Sequence, residues 1–524
     1  MDVVTFAFLA VLICIAVDKL RARWKSTGHS PPPPPVQKGF SHIWGHLGEL
    51  AAIAKNPERD LYDGLEHFVR TSRSQPVVSL YCGPPALVRP IVFVLDPKVA
   101  RRLSFEGGDF QGIVRGLTLI AGQPVISSGH MLADAERTRR KKIMALALFR
   151  PHHLRRTVGL AGKHMSRLLL AGWFDENDGV FDVSRKNFQR LVHSILLDAF
   201  ISVDSADQDP ADMDKYLSDM HTWAIILKDM IYFPADLSLY PYVRPSNYKR
   251  VQQAYGSLSR SWVEPVIKER QRLTAEGEEL PDDALSSMLA GEQEDGLAAA
   301  ENDDPKATLN SNVACAEMTT ILFASDTMSS TMVWLMLHLA DNPAAQQKCY
   351  EEVVSVIGKE PQGDRPNLDD ISELNYLFAF IKESQRFQPI AHALMREAKE
   401  DYIVGDYTIP KGAWLMIPTQ SQALSDANFP ESDAFRPERW LDDTLAGGAR
   451  QAGQALSYAP FGLGTHQCFG RTLARTMLRS LLALLLQTYR VERVSDPKDA
   501  TPVSPGLMYF PKKMAVRCVR REVG

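Results

Sequence analysis

The chain has 524 residues, with 59 Lys+Arg against 63 Asp+Glu for a net charge of −4, and is 45% hydrophobic and 23% charged. These ordinary values exclude a collagen-like, a disulfide-scaffold and a wholly disordered protein, and the near-neutral balance gives no support to nucleic-acid binding as its main business. At roughly 150 residues per domain, the length alone suggests three or four domains.

Taken from the N-terminus, Val3 to Val17 carries no charge and is followed by Lys19, Arg21, Arg23 and Lys25. At 1.5 Å per residue the run covers roughly 22 Å, short of a ~30 Å hydrocarbon core. Snorkelling of Lys19 and Arg21 makes up part of the difference. A cleaved signal peptide would place its positive charge before the apolar run. Here Asp2 precedes the run and the cations follow it, so the reading is an uncleaved anchor with the rest of the chain in the cytosol. Pro31 to Pro35 then forms a stiff spacer. The division expected is an anchor with its basic flank over 1–25, a proline-rich hinge over 26–45, and one body over 46–524.

Residues 75–97 read as a β-hairpin. From about residue 98 most of the chain reads helical. The segment 274–305 is acidic and poor in apolar residues, which predicts an exposed loop. Residues 309–340 predict a single buried helix on the order of 45 Å long. Within it lie Asp326 and Thr327, and a carboxylate buried there is costly unless paired or hydrated. It reads either as a local cap or as a proton-delivery pair facing a cavity.

Glu383 and Arg386 share a helix face at i, i+3, a spacing that also describes ordinary surface ion pairs. Residues 400–420 read as strands, with Ile-Pro-Lys-Gly (409–412) as a turn between two of them. Arg439, in Pro437-Glu438-Arg439-Trp440, could join the Glu383–Arg386 pair.

Six cysteines occur at 14, 82, 315, 349, 468 and 518, with no CxxC pair, which argues against a zinc ribbon or a thioredoxin-type site. Only Cys468 has special surroundings, in Phe461-Gly462-Leu463-Gly464-Thr465-His466-Gln467-Cys468-Phe469-Gly470. This loop opens a helical pattern, and amides at a helix start favour a thiolate and lower its pKa. A thiolate with no second soft ligand nearby fits haem iron better than zinc.

Together these motifs resemble the cytochrome P-450 family of haem-thiolate monooxygenases, over nearly the whole chain. The anchor and proline hinge resemble its microsomal members, and the general style its fungal ones. The resemblance implies a mainly α fold with small β-sheets and a long central oxygen-binding helix. It implies haem b, with Cys468 as axial iron ligand, Phe461 beside the sulfur, Gly462 and Gly470 in the cradle, and His466, Arg396 and Lys141 toward the propionates. Lys141 or Lys142 stands in for the family's arginine, and the usual tryptophan before it is missing. Glu383, Arg386 and Arg439 would form a structural triad, and Asp326 and Thr327 the acid–alcohol pair.

The family's Ala-Gly before the acid is replaced by Phe323 and Ala324, which is expected to narrow the pocket or shift the substrate. Substrate contacts are expected from the 110–126 loop, Met318 to Thr327, Ile390 to Met395 and Leu507 to Tyr509, with His392 as a polar handle or a satisfied wall residue. These are mostly apolar, which points to a lipophilic substrate; the segment 228–250 resembles that of sterol- and terpenoid-oxidising members, and the fungal style implies secondary metabolism. No flavin or nicotinamide fingerprint is present. The implied electron source is NADPH–cytochrome P-450 reductase, with cytochrome b5 as a further candidate, docking on Arg137–Lys142, Arg155 and Arg156 at the endoplasmic reticulum membrane. The rival reading is a haem-thiolate isomerase or dehydratase acting on peroxides without a reductase; retention of Asp326 and Thr327 argues against it.

Overall fold

The computed structural model describes the body of the chain between residues 75 and 521. Outside the described residues lie 1–74, 81–89, 108–110, 123–139, 175–179, 232–236, 290–310, 360–365, 442–457, 465–466, 504–507, 522–524 and a few shorter gaps. The expected anchor, the proline hinge, His466 and Lys142 therefore fall outside them. No helix among the described residues is long and apolar enough to cross a membrane.

Strands β1 (Val77–Leu80) and β2 (Ile91–Val94) pair antiparallel, Val77 opposite Val94, as the 75–97 pattern predicts. β3 (Val180–Asp182), β4 (Ala393–Glu397), β5 (Tyr402–Val404), β6 (Tyr407–Ile409) and β7 (Trp414–Pro418) follow in the chain. The first sheet runs β1-β2-β7-β4. Its β1 and β2 are buried on both faces, which is why they read as apolar runs, broken only by the buried Ser79 of β1. The turn at 409–412 links β6, which pairs with β5, to β7 in the other sheet. It joins two sheets, not two partners. β8 (Tyr489–Arg493), β9 (Pro502–Val503), β10 (Phe510–Pro511) and β11 (Ala515–Arg520) close the chain, with the sheet β3-β11-β8 among them.

The remainder is mainly helical. The principal helices are α1 (Pro97–Glu106), α2 (Gln111–Ala121), α3 (Pro151–Leu170), α4 (Arg185–Ile201), α5 (Pro210–Ile231), α6 (Pro245–Leu258), α7 (Glu264–Glu276), α8 (Ser311–Leu322), α9 (Ala324–Asp341), α10 (Pro343–Val356), α11 (Asn375–Phe387) and α12 (Arg471–Thr488). α1 begins where the Asp96 carboxylate accepts the amides of Lys98 and Val99, both at 2.9 Å. α12 is buried all round from Leu481 to Leu486, where a leucine-to-alanine truncation typically costs about 2–5 kcal/mol.

Three expectations change. The stretch 111–121 is a helix rather than a loop, and its tail is held by Gln252, whose side-chain amide donates to the Leu119 carbonyl at 2.7 Å. The acidic segment starts inside α7, which ends on Gly277 at φ 71°, a left-handed cap that glycine adopts without strain. Beyond it, Asp283 is buried on Arg270 at 2.8 Å, and 290–310 lies outside the described residues. The single central helix is two, α8 and α9, parted at Phe323. There the bonds tighten to i−3, from the Phe323 amide to the Thr320 carbonyl (3.2 Å) and from the Asp326 amide to the Phe323 carbonyl (3.1 Å). The Phe323 ring meets Trp223 of α5 edge-on at 5.0 Å, a contact that no periodicity in 309–340 could report.

Candidate functional site: a cavity between α9 and the cysteine loop

The Cys468 loop is shaped by its own backbone. The Cys468 amide donates to the Phe461 carbonyl at 2.7 Å and the Gln467 amide to the Gly464 carbonyl at 3.1 Å. Gly462 and Gly464 have φ of 73° and 68°, where a side chain would strain the turn. A Cβ on Gly464 would also come within 3.0 Å of the Phe105 ring. Gly470 caps α12. Arg475, one turn into that helix, lies 5.3 Å from the centre of the Phe461 ring.

Cys468, Phe461, Gly462 and Gly470 line one cavity together with Phe323, Ala324 and Thr327. Its volume is about 390 Å³, within the ~300–1,000 Å³ of an ordinary ligand pocket. Most of its lining is apolar. Cys468 is exposed only in the sense that it faces this cavity, for protein encloses it otherwise. That enclosure pushes its thiol pKa up, against the backbone of Gly470 and the charge of Arg471, which pull it down. Enclosure thus opposes the lowering that the helix start favours. A coordinated metal would hold the sulfur as thiolate regardless.

Thr327 faces the cavity, its hydroxyl donating to the Ala324 carbonyl at 2.9 Å. Asp326 is buried but turned the other way, accepting from the Gln189 side-chain amide of α4 at 2.8 Å. The structure therefore separates the expected pair: the alcohol lines the cavity and the acid lies behind it. Gln189 went unnoticed in the sequence, since 137 residues separate it from Asp326.

Glu383 and Arg386 are fully buried, which removes the surface-pair reading. Glu383 Oε1 accepts from Arg386 Nη2 (2.8 Å), Arg439 Nε (3.0 Å) and the Arg436 amide (2.8 Å). Its Oε2 accepts from Arg386 Nε (3.0 Å) and Trp440 Nε1 (2.9 Å). Both arginines spend their remaining donors on the carbonyls of 423–434. Burial lowers the Arg439 pKa, and the neighbouring Glu383 carboxylate opposes this. The three side chains thus fix α11 to the 423–440 segment.

Arg396 is buried beside the cysteine loop, where its nitrogens donate to the carbonyls of Ser104 (3.2 Å), Met395 (2.8 Å) and Leu463 (3.1 Å). Lys141 is half-buried. Its neighbour Arg140 is the cation of that run that turns inward, meeting the buried Glu317 of the cavity wall at 3.1 Å. Nothing in the sequence singled out Glu317. Of the expected docking cations, Arg156 is instead tied to the Asp198 carbonyl (3.0 Å) and the Ser202 hydroxyl (3.1 Å). A different trio, Lys382, Arg475 and Arg479, gathers around the Phe378 ring beside the cysteine loop at 4.3, 5.4 and 4.6 Å. Burial and the two arginines lower the Lys382 pKa.

Ile390, Ala391, Leu394 and Met508 line the cavity as expected. His392 does not belong to that lining. It stacks flat on Tyr509 at 3.5 Å and meets the Gln388 amide at 2.9 Å, a satisfied wall residue.

The donor set is one cysteine sulfur on a glycine-shaped loop, facing a mostly apolar space beneath a broken helix. It defines a cysteinyl-haem protein in kind, and these residues fit an iron porphyrin. The cytochrome P450 family model matches residues 48–517, and the chain belongs to that family, whose members are oxidoreductases. Among curated relatives, mouse mitochondrial 1,25-dihydroxyvitamin D(3) 24-hydroxylase is 34% identical over 170 residues, 32% of this chain and 31% of that protein. Bovine lanosterol 14-alpha demethylase is 28% identical over 279 residues, 53% of this chain and 51% of the relative. Dimethylnonatriene synthase of Arabidopsis thaliana is 30% identical over 269 residues, 51% and 49% of the two chains. The matches thus span from about a third to about half the length of these relatives.

Proposed function

We propose that the chain is a haem-thiolate monooxygenase. It inserts one oxygen atom from O2 into a C–H bond of a lipophilic molecule of terpenoid or sterol type, with electrons from NADPH–cytochrome P-450 reductase. The observation that carries this reading is that Cys468 and Thr327 line the same mostly apolar cavity. The relatives' names include vitamin D(3), lanosterol and dimethylnonatriene, which supports a lipophilic substrate.

In this reading Cys468 would bind the iron, Phe461 and Gly462 shape its loop, Gly470 backs the sulfur, and Arg396, His466 and Lys141 would hold the propionates. Haem, when bound there, supplies dioxygen activation, which a thiolate ligand favours. The chain's own residues do the rest. Thr327 holds a proton donor at the cavity face and Asp326 supplies it from behind. Glu383, Arg386 and Arg439 keep the proximal scaffold rigid, and the apolar wall orients substrate and limits water. Lys382, Arg475 and Arg479 offer a basic surface for an acidic electron donor, reductase or cytochrome b5, whose attraction would weaken with salt. Residues 46–524 form one catalytic body, tethered through 26–45 to an endoplasmic reticulum anchor in 1–25.

The test is reconstitution with reductase, NADPH and a panel of terpenoids and sterols. The expected result is a hydroxylated product, together with the red-shifted Soret band of a carbon-monoxide complex that Cys468→Ser abolishes. Turnover of organic hydroperoxides alone, with no NADPH-dependent product, would replace this reading with the isomerase or dehydratase.

A further inference from the structure

Helix α4 lies along α9, and two residues one turn apart on the same face of α4 carry buried polarity. Gln189 holds Asp326 Oδ1 at 2.8 Å. Four residues on, His193 is 0% exposed, and neither ring nitrogen has a hydrogen-bond partner among the described residues. Its ring lies 3.8 Å from that of Tyr216 on α5, whose buried hydroxyl also has none. Two turns further along α5, the buried Trp223 Nε1 is likewise without a partner, and its ring rests against Phe323 at the helix break.

Three of these atoms, both His193 nitrogens and the Tyr216 hydroxyl, meet where α4 faces α5. Each buried polar atom left unsatisfied costs about 1–3 kcal/mol, and in folded proteins internal water ordinarily meets the need. Burial lowers the His193 pKa to about 3, so the imidazole is neutral at physiological pH. A neutral imidazole offers one donor and one acceptor, and a tyrosine hydroxyl offers both, so water between them can pass a proton onward.

We propose that the seam between α4 and α5 holds internal water anchored by His193 and Tyr216, and that this water resupplies Asp326 with protons along the face where Gln189 positions it. Each proton that Asp326 gives toward the cavity is replaced by one passed in from solvent, with no net change in the relay. Gln189 is a positioning residue and His193 the far anchor of the water. The inference rests on Asp326 being the proton source for Thr327.

The first test is a high-resolution crystal structure of the wild-type protein. Water within hydrogen-bonding distance of His193 and Tyr216 is expected, and a dry seam would overturn the proposal whatever any variant does. The second uses the full chain with reductase. Gln189→Leu and His193→Phe are expected to lower product formed per NADPH several-fold and to raise the solvent isotope effect, with substrate affinity by spectral titration unchanged. Gln189→His, which keeps an N–H donor, should restore much of the coupling. If Asp326→Asn uncouples while Gln189→Leu and His193→Phe do not, the water line falls and the acid–alcohol reading stands. If Asp326→Asn leaves coupling intact, both fall.

Discussion

Two buried carboxylates, Glu383 and Asp326, sit in opposite circumstances. Glu383 accepts five hydrogen bonds from two arginines, a tryptophan and a backbone amide. Asp326 accepts one described bond from a neutral amide, at the edge of a helix break and behind a cavity wall. The bonds to Glu383 tie α11 to the 436–440 segment, whereas the described bond to Asp326 ties α9 to α4 beside the cavity. The contrast separates a proximal scaffold from a site behind the cavity wall.

The sharpest way to break this comparison is Glu383→Ala. Removing one member of a buried ionic cluster strands the others, at about 3–5 kcal/mol, so the variant should fail to accumulate as folded haem protein. Normal expression with intact haem absorbance would show the cluster to be dispensable. Trp440→Phe removes a single donor to the same carboxylate and should cost about 1.5–3 kcal/mol, read as a lowered chemical-denaturation midpoint.

A third prediction concerns pH. His338 of α9 packs between Phe387 and Phe435 and meets the Ser384 hydroxyl at 2.8 Å, and burial lowers its pKa to about 3, as it does for His392. Their folded-state values lie below the usual 6.5, so the unfolded chain takes up protons that the folded one refuses. Stability present above pH 6.5 should therefore fall as pH drops from there toward 3, at up to about 1.4 kcal/mol per pH unit for each histidine. Denaturation at pH 7 and pH 5 reads the loss, and His338→Phe should flatten it. A slope unchanged in that variant would reassign the acid sensitivity.

The smallest effect on stability, and the most telling, is that of Thr327→Val. Its hydroxyl makes one local bond to the Ala324 carbonyl, so the melting point should move little, by about 1 kcal/mol or less, while product per NADPH falls. If stability fell and coupling held, the site would have the character of the Glu383 cluster.

Length alone suggests three or four domains, and one family model matches residues 48–517. The motifs were legible because their spacing is local: the glycines around Cys468, the i, i+3 step from Glu383 to Arg386, the apolar strands β1 and β2. So was the buried character of the central helix, since it is apolar on every face. The break at Phe323 was not legible, and the ring that Phe323 meets there, Trp223, lies a hundred residues away in the chain.

The sequence by itself thus pointed to the family, to the one cysteine on a glycine loop and to most of the helices and strands, because chain-local chemistry and periodicity carry that information. Tertiary structure alone decided where the polar groups point. It turned Thr327 into the cavity and Asp326 onto Gln189, sent Arg140 inward to Glu317, and stacked His392 on Tyr509. A buried polar atom must find its partner wherever packing brings one, and packing obeys no period along the chain.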